Sequence, residues 1–458
     1  MKETMERIND STLSPQQRIS ALEAFVGAGG LQHCSPVTKE INNHIHTIYS
    51  FSPYTPSMAA LRAREAGLAV AGSVDHDSLE AAAEMTQSCR LLGLGCVTGF
   101  ELRVSFKSTP FADKKINNPD SQGIVYMTIQ GVPAPQRQRV AQFLEPIHQC
   151  RRNRNIRMVE NLNKILLQAQ LPILNYQRDV ESLSQSALGG SVTERHILYA
   201  FAKLLDKEAG SPERLVQLLE ETLALTLSPS QKQRLLEQDN PHYLYDLLGL
   251  LKSGFIQKIF IQPDDHECPP VQQVTAFAQS IGAVPAYAYL GDVGESPTGD
   301  KKREQFEDSF LDQLIGSLPQ LGFLAVTYMP PRNTPEQLQR LKTLCQQHKL
   351  MEISGVDINS SRQSFNCPEI NLPAFENLIH TTWALVAHEA LASSHPDLGL
   401  FSKNNPMADW ELDWRIQVYS RLGQKLKSTE PLTQSKAEEI LKEMLAAECK
   451  SAAQQEES

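Results

Sequence analysis

Two histidines separated by a single residue, His44-Ile45-His46, are the densest chemistry in the sequence. On an extended strand, side chains two apart share a face, so both imidazoles can reach one metal ion. Further candidate ligands follow short apolar runs: Asp75-His76 after residues 70–74, Glu101 in Gly99-Phe100-Glu101, and Asp357 after residues 353–356. Taken singly, an acidic residue after a strand is more often a cap or a turn, and the histidine pair is equally well a strand end. Their recurrence at the ends of successive strands is better explained by a shared metal ion or a proton relay.

Cationic side chains complete the candidate set. Lys301 lies in the polar run 291–302, Arg332 in 328–333 and Arg362 in 357–363, and each run follows an apolar segment. An arginine there can grip a phosphate through two parallel hydrogen bonds, so Arg332 and Arg362 rank ahead of the lysines. His196 stands in Thr193-Glu194-Arg195-His196 at the expected start of a helix. His388 falls in an apolar helical stretch and reads as a core histidine, and the other histidines lack a companion at ligand spacing.

The elements that must position these residues alternate between strand and helix. Residues 70–74, 96–100 and 123–129 read as strands, and 78–92 as a helix capped by Asp77 or Ser78. Strand-helix alternation of this kind predicts a parallel sheet or barrel, whose active site lies at the carboxyl ends of the strands. Residues 137–252 are richer in charge and leucine and predict a mainly helical insertion. The strand pattern resumes with 256–261, 283–290, 323–328 and 351–356. The expected segments are therefore a helical lead-in over 1–38, barrel over 39–136 and 253–400, and terminal helices over 401–458, with 452–458 unstructured.

Bulk properties narrow the class. At 458 residues the chain can bury one large barrel with an insertion or two to three domains. A net charge of -10 argues against a coat for long nucleic acid, yet allows a small phosphorylated substrate held by local cations. Eight cysteines without any Cys-x-x-Cys spacing exclude a zinc ribbon and predict reduced thiols. The opening residues lack the apolar core of a secretory signal, and no run approaches the roughly 18 apolar residues of a membrane span. A cytoplasmic protein is expected, with its oligomeric state left open.

The order of the motifs resembles the PHP (polymerase and histidinol phosphatase) family. His44-Ile-His46-Thr-Ile-Tyr-Ser50 is similar to its opening His-x-His motif, Val74-Asp75-His76-Asp77 to its Thr-Asp-His motif, and Gly355-Val-Asp357-Ile-Asn359 to its Gly-Ser-Asp-x-His motif. The runs 151–157 and 192–196 resemble the branch hydrolysing nucleotide and short-oligonucleotide phosphates. The resemblance spans residues 42–360 and implies an α/β fold: a distorted (β/α)7 TIM-like barrel of the PHP type with a helical insertion. It implies metal ligation by His44, His46, Glu101 and Asp357, with His76 left from a second site. It also implies catalytic work for Asp75, His76 and His196, and substrate binding by Arg195 and His196.

Departures from the family pattern limit the number of ions. Phe51 stands where the family commonly has Asp, Asn359 where it has the last His, and Gln130 where it has the His of a third site. The Ala-His-Pro element reads Ala286-Tyr287-Ala288, without histidine. The expectation is one divalent ion (Mn, Fe, Zn or Mg), or two if Asp75 or Asp292 contributes. A metal-dependent phosphoesterase for a small phosphorylated metabolite or nucleotide is the first functional expectation. A catalytically degenerate protein that binds a ligand or metal is the second.

Overall fold

A computed structural model describes residues 2–237, 239–292, 305–427 and 430–456, with side chains through 446. Among these residues, seven strands form one sheet in sequential order: β1 (Ile41–Ile45), β2 (Val70–His76), β3 (Gly95–Ser105), β4 (Ile124–Gln130), β5 (Val284–Ala288), β6 (Ala325–Tyr328) and β7 (Met351–Ser354). Neighbours run parallel except around β4, which is antiparallel to both β3 and β5. The strands are buried almost throughout, as expected of a mostly parallel sheet covered on both faces.

The sheet curls until its ends nearly meet. Ile358, just past β7, donates its N–H to the His44 carbonyl at 3.0 Å and accepts from the His46 N–H at 2.9 Å. This bridge fastens the segment carrying Asp357 against the strand carrying the histidine pair. The expected α/β barrel of seven strands is the fold observed, with one strand reversed. The helix Glu376–Ser394 underlies β1 and β3: its Thr382 hydroxyl accepts from the Asn43 amide at 2.8 Å. Gly95 has to be small there, because a Cβ would meet the Trp383 ring at 2.8 Å.

Between β4 and β5 the chain makes a largely helical excursion, including Arg137–Gln168, Glu194–Ala209 and Tyr243–Ile259, with its own apolar cluster. It is joined to the barrel by a buried charge network. Arg154 pairs with Glu267 at 2.6 Å and Glu194 at 2.6 Å, Arg103 on β3 reaches Glu267 at 2.5 Å and Glu194 at 3.3 Å, and Arg151 reaches Asp77 at 2.7 Å. Three guanidinium groups thus face three carboxylates, which is the condition for burying charge tolerably.

Several local expectations are corrected. Residues 256–259 are helical rather than a strand, because Leu247, Leu251, Phe255 and Ile259 recur every four residues and bury one helix face. A short apolar run read alone cannot distinguish the two. That helix also passes straight through the expected boundary at 252/253. The helix expected over 78–92 spans only Ala82–Leu91, with Ala81 as its cap residue. Asp77 instead adopts a left-handed conformation (φ 49°), and the Ser78 hydroxyl donates to the Gly189 carbonyl. The terminal helix runs from Gln434 to Glu456, through part of the stretch expected to lack structure. The seven described cysteines are free, and no described helix is long and apolar enough to cross a membrane.

Candidate metal centre

The pleat of β1 and its closure onto Ile358 place His44 and His46 on one side of the barrel mouth. Glu101 arrives from β3, in register with His76 on β2, and Asp357 from the loop after β7. His46 Nε2 lies 3.2 Å from Asp357 Oδ1 and 3.5 Å from Glu101 Oε1, and His44 Nε2 lies 3.5 Å from Glu101 Oε2. Two overlapping triads, His44/His46/Asp357 and His46/His76/Glu101, each keep their ligand atoms within 4.8 Å of one another.

These spacings suit an ion better than a hydrogen-bond network. Ligand atoms about 2.1 Å from one cation sit ~3.0–3.4 Å apart at octahedral or tetrahedral angles. His46 Nε2 is also buried and makes no hydrogen bond, although two carboxylates surround it. A buried nitrogen so placed needs a partner, and a divalent ion would satisfy it while balancing the two negative charges. His44, His46, Glu101 and Asp357 therefore fit a metal ion. His76 Nδ1 is closer to Glu101 Oε1, at 2.7 Å, a hydrogen-bonding distance.

The electrostatics agree. Burial alone would raise the Glu101 carboxyl, but His76 and His44 overcome it and hold the group well below the usual carboxylate range. Asp357 is likewise lowered: burial works against ionisation, and the neighbouring imidazoles of His46 and His44 outweigh it. Both carboxylates are thus ionised and available as ligands at neutral pH.

Asp75 does not face this cluster. Its Oδ1 accepts from the Thr47 N–H at 2.7 Å and the Ser50 hydroxyl at 2.6 Å, and its Oδ2 accepts from the Thr47 hydroxyl at 2.6 Å. Ser50 Oγ in turn lies 3.2 Å from His46 Nδ1. The carboxylate therefore acts through Ser50 on the far side of the His46 ring, keeping Nε2 turned toward the cluster. Thr47 and Ser50 stood in the sequence motif without an assigned role. Their use follows from the tight loop after β1, which sequence spacing does not reveal.

The insertion forms one wall of the site. His196 is buried, and its Nδ1 accepts from the Thr193 N–H at 3.0 Å, which leaves the proton on Nε2. Burial lowers its pKa to about 3, so the ring stays neutral. Phe51 packs edge-on against it at 5.0 Å between centroids, with Tyr199 and Tyr245 completing the aromatic patch. Phe51 thus belongs to the insertion's apolar cluster. Asn359, at another of the replaced positions, donates to Asp357 Oδ1 at 2.7 Å and accepts from Arg195 at 2.5 Å.

The remaining candidates scatter. Arg362 forms a bidentate pair with Asp246 at 2.6 Å, which ties the loop after β7 to the insertion. Arg332 donates from Nε to the Leu290 carbonyl at 3.0 Å, and Lys301 lies outside the described residues. Asp292 accepts from the Phe306 N–H at 2.6 Å, at the stem of the 293–304 segment. Gln130 is buried on β4 without a hydrogen-bond partner for either side-chain atom. It sits opposite Val284, beyond the position where Thr128 faces Glu101. His388 is buried and accepts from the Leu400 N–H, as expected of a core histidine.

A seven-stranded α/β barrel with a cluster of histidines and carboxylates at the carboxyl ends of its strands is the class that this fold and site define. No protein-family model matches the chain, and no curated protein matches it. Solved structures similar to it include a Bifidobacterium adolescentis protein assigned as a metal-dependent phosphoesterase, at 19% identity and TM-score 0.46, covering 73% of this chain and 96% of that one. Another is an amidohydrolase from Chromobacterium violaceum with bound sulfate and no metal, at 15% identity and TM-score 0.45, covering 71% of this chain and 89% of that one.

Proposed function

We propose that the protein is a metal-dependent phosphoesterase of the PHP type, acting on a small phosphorylated metabolite or nucleotide in the cytoplasm. The observation that carries this reading is His46 Nε2, buried, without a hydrogen bond, and faced by Asp357 at 3.2 Å and Glu101 at 3.5 Å. His44, His46, Glu101 and Asp357 would hold the ion, which when bound would activate water and neutralise phosphate oxygens. Ser50 and Asp75 keep the His46 ring in the ligating tautomer. His196, neutral with its proton on Nε2, offers a hydrogen-bond donor that does not compete for the ion.

The test is turnover of phosphomonoesters, cyclic nucleotides and dinucleotides with added manganese, in the wild type and in three variants. Loss of activity in His46→Ala and Asp357→Ala, with His388→Ala unaffected, supports the reading. A second reading, binding without turnover, is favoured by Phe51, whose ring is committed to an apolar cluster and cannot ligate. Tight binding of a panel compound with no turnover by the metal-loaded wild type would decide for it.

A further inference from the structure

Asp77 carries a left-handed backbone, φ 49°, one residue beyond His76. Side chains other than glycine's are disfavoured there, and such strain persists only where the surroundings over-determine it. At Asp77 they do so from three sides. Its N–H donates to the Glu101 carbonyl at 2.7 Å, one step past the register pair of His76 with Glu101. Its carbonyl accepts from His148 Nε2 at 2.5 Å, and its carboxylate meets Arg151 Nη2 at 2.7 Å. The residue is buried, so water does not replace these partners.

His148 and Arg151 are three residues apart on the helix Arg137–Gln168, which places them on one face. That helix enters two cores. Val140, Leu144 and Ile147 pack in the barrel's apolar cluster, and Met158, Val159, Leu162 and Leu166 in the insertion's. The two side chains that grip Asp77 stand where the helix crosses from one to the other. Beside them, the Ser78 hydroxyl donates to the Gly189 carbonyl of the insertion at 2.9 Å. The turn after β2 is thus held from the insertion, directly behind the contact of His76 with Glu101 at 2.7 Å. Glycine at 77 would take the same backbone without strain, but it could not meet Arg151.

We propose that Asp77, gripped by His148 and Arg151, is a positioning residue for the His76–Glu101 arm of the metal cluster. Through it the insertion helix sets how tightly the site holds its ion. The arm carrying His44, His46 and Asp357 is closed separately, by the backbone of Ile358. The proposal rests on the metal-dependent reading above and gives a role to residues outside the ligand set.

The test measures manganese affinity of the full chain by competition with a metal-buffering chelator. His148→Ala and Asp77→Gly should each bind manganese at least about tenfold more weakly, as when a ligand loses its outer partner. His148→Gln should recover most of the loss, because its amide N–H can donate to the same carbonyl. Asp77→Asn should also stay close to wild type, since it tolerates the left-handed backbone and still accepts from Arg151. A turn that matters only for its shape predicts the opposite order, with glycine as good as aspartate. Wild-type affinity in Asp77→Gly or in His148→Ala would overturn the proposal. His148 is half-buried, so its alanine variant decides the matter if the glycine variant does not fold. If the wild type takes up no manganese, the metal reading fails by itself. Hydrogen exchange of the Asp77 amide in the metal-free chain then decides the grip: faster exchange in His148→Ala sustains it, and equal exchange overturns it.

Discussion

His46 and Asp75 are joined through one hydroxyl: Ser50 Oγ donates to Asp75 Oδ1 at 2.6 Å and lies 3.2 Å from His46 Nδ1. The carboxylate is fully buried behind the ring and never meets the cluster that the ring faces. Asp75→Asn should therefore weaken manganese binding by roughly 10- to 100-fold without abolishing it, the usual cost of losing an outer partner of a ligating histidine. Competition with a metal-buffering chelator measures this. An unchanged affinity would remove Asp75 from the positioning role.

His46 is shared by both candidate triads, whereas His44 and His76 each belong to one. Manganese at 100 times its Kd should stabilise the wild type by about 2.7 kcal/mol, seen as a rise in Tm. His46→Ala should lose that rise entirely, and His76→Ala should keep part of it. Equal loss in both variants would mean that Glu101 and His76 ligate as one unit.

Glu267 neutralises Arg103 and Arg154 in a space closed to water. Glu267→Ala strands buried guanidinium charge and should cost about 3–5 kcal/mol, read from denaturant unfolding. Exposed pairs such as Lys349–Glu411 should cost less than about 1 kcal/mol when broken. A small effect at Glu267 would show that water enters the network.

Glu389 underlies β3, accepting from the Thr98 N–H and hydroxyl at 2.7 Å each. Burial raises its pKa to about 7, against the lowering effect of those bonds. A raised carboxyl contributes stability that is complete below the unfolded value near 4.5 and is lost as pH rises through about 7. Glu389→Gln should flatten that part of the stability profile by up to ~1.4 kcal/mol per pH unit. A profile unchanged between pH 5 and 8 would contradict it.

Much of the barrel was legible because buried strands leave short, mostly apolar runs, as at residues 70–74 and 284–288. Residues 256–261 misled for a related reason: their four apolar side chains suit a strand or a buried helix equally until the neighbours of Ile259 at 247, 251 and 255 are counted. The ligand candidates on β1 and β2 were legible because chemistry-bearing residues at strand ends break the apolar pattern, and Glu101 because it interrupts one, though β3 runs on past it to Ser105. Tyr199, Tyr245 and Glu267 carried no such signal. Their importance comes from what folds against them.

By itself, the sequence determined the kind of site: a two-residue histidine spacing and carboxylates after apolar runs are local facts that survive in any parallel arrangement. Only the tertiary structure decided how those residues divide the work. Asp75 and His76 are adjacent in the chain, yet the strand pleat sends one behind His46 and the other to Glu101. Arg195 and Asn359 are 164 residues apart and meet because the insertion folds back over the mouth. Side-chain direction and long-range closure are set by packing, and no spacing rule encodes them.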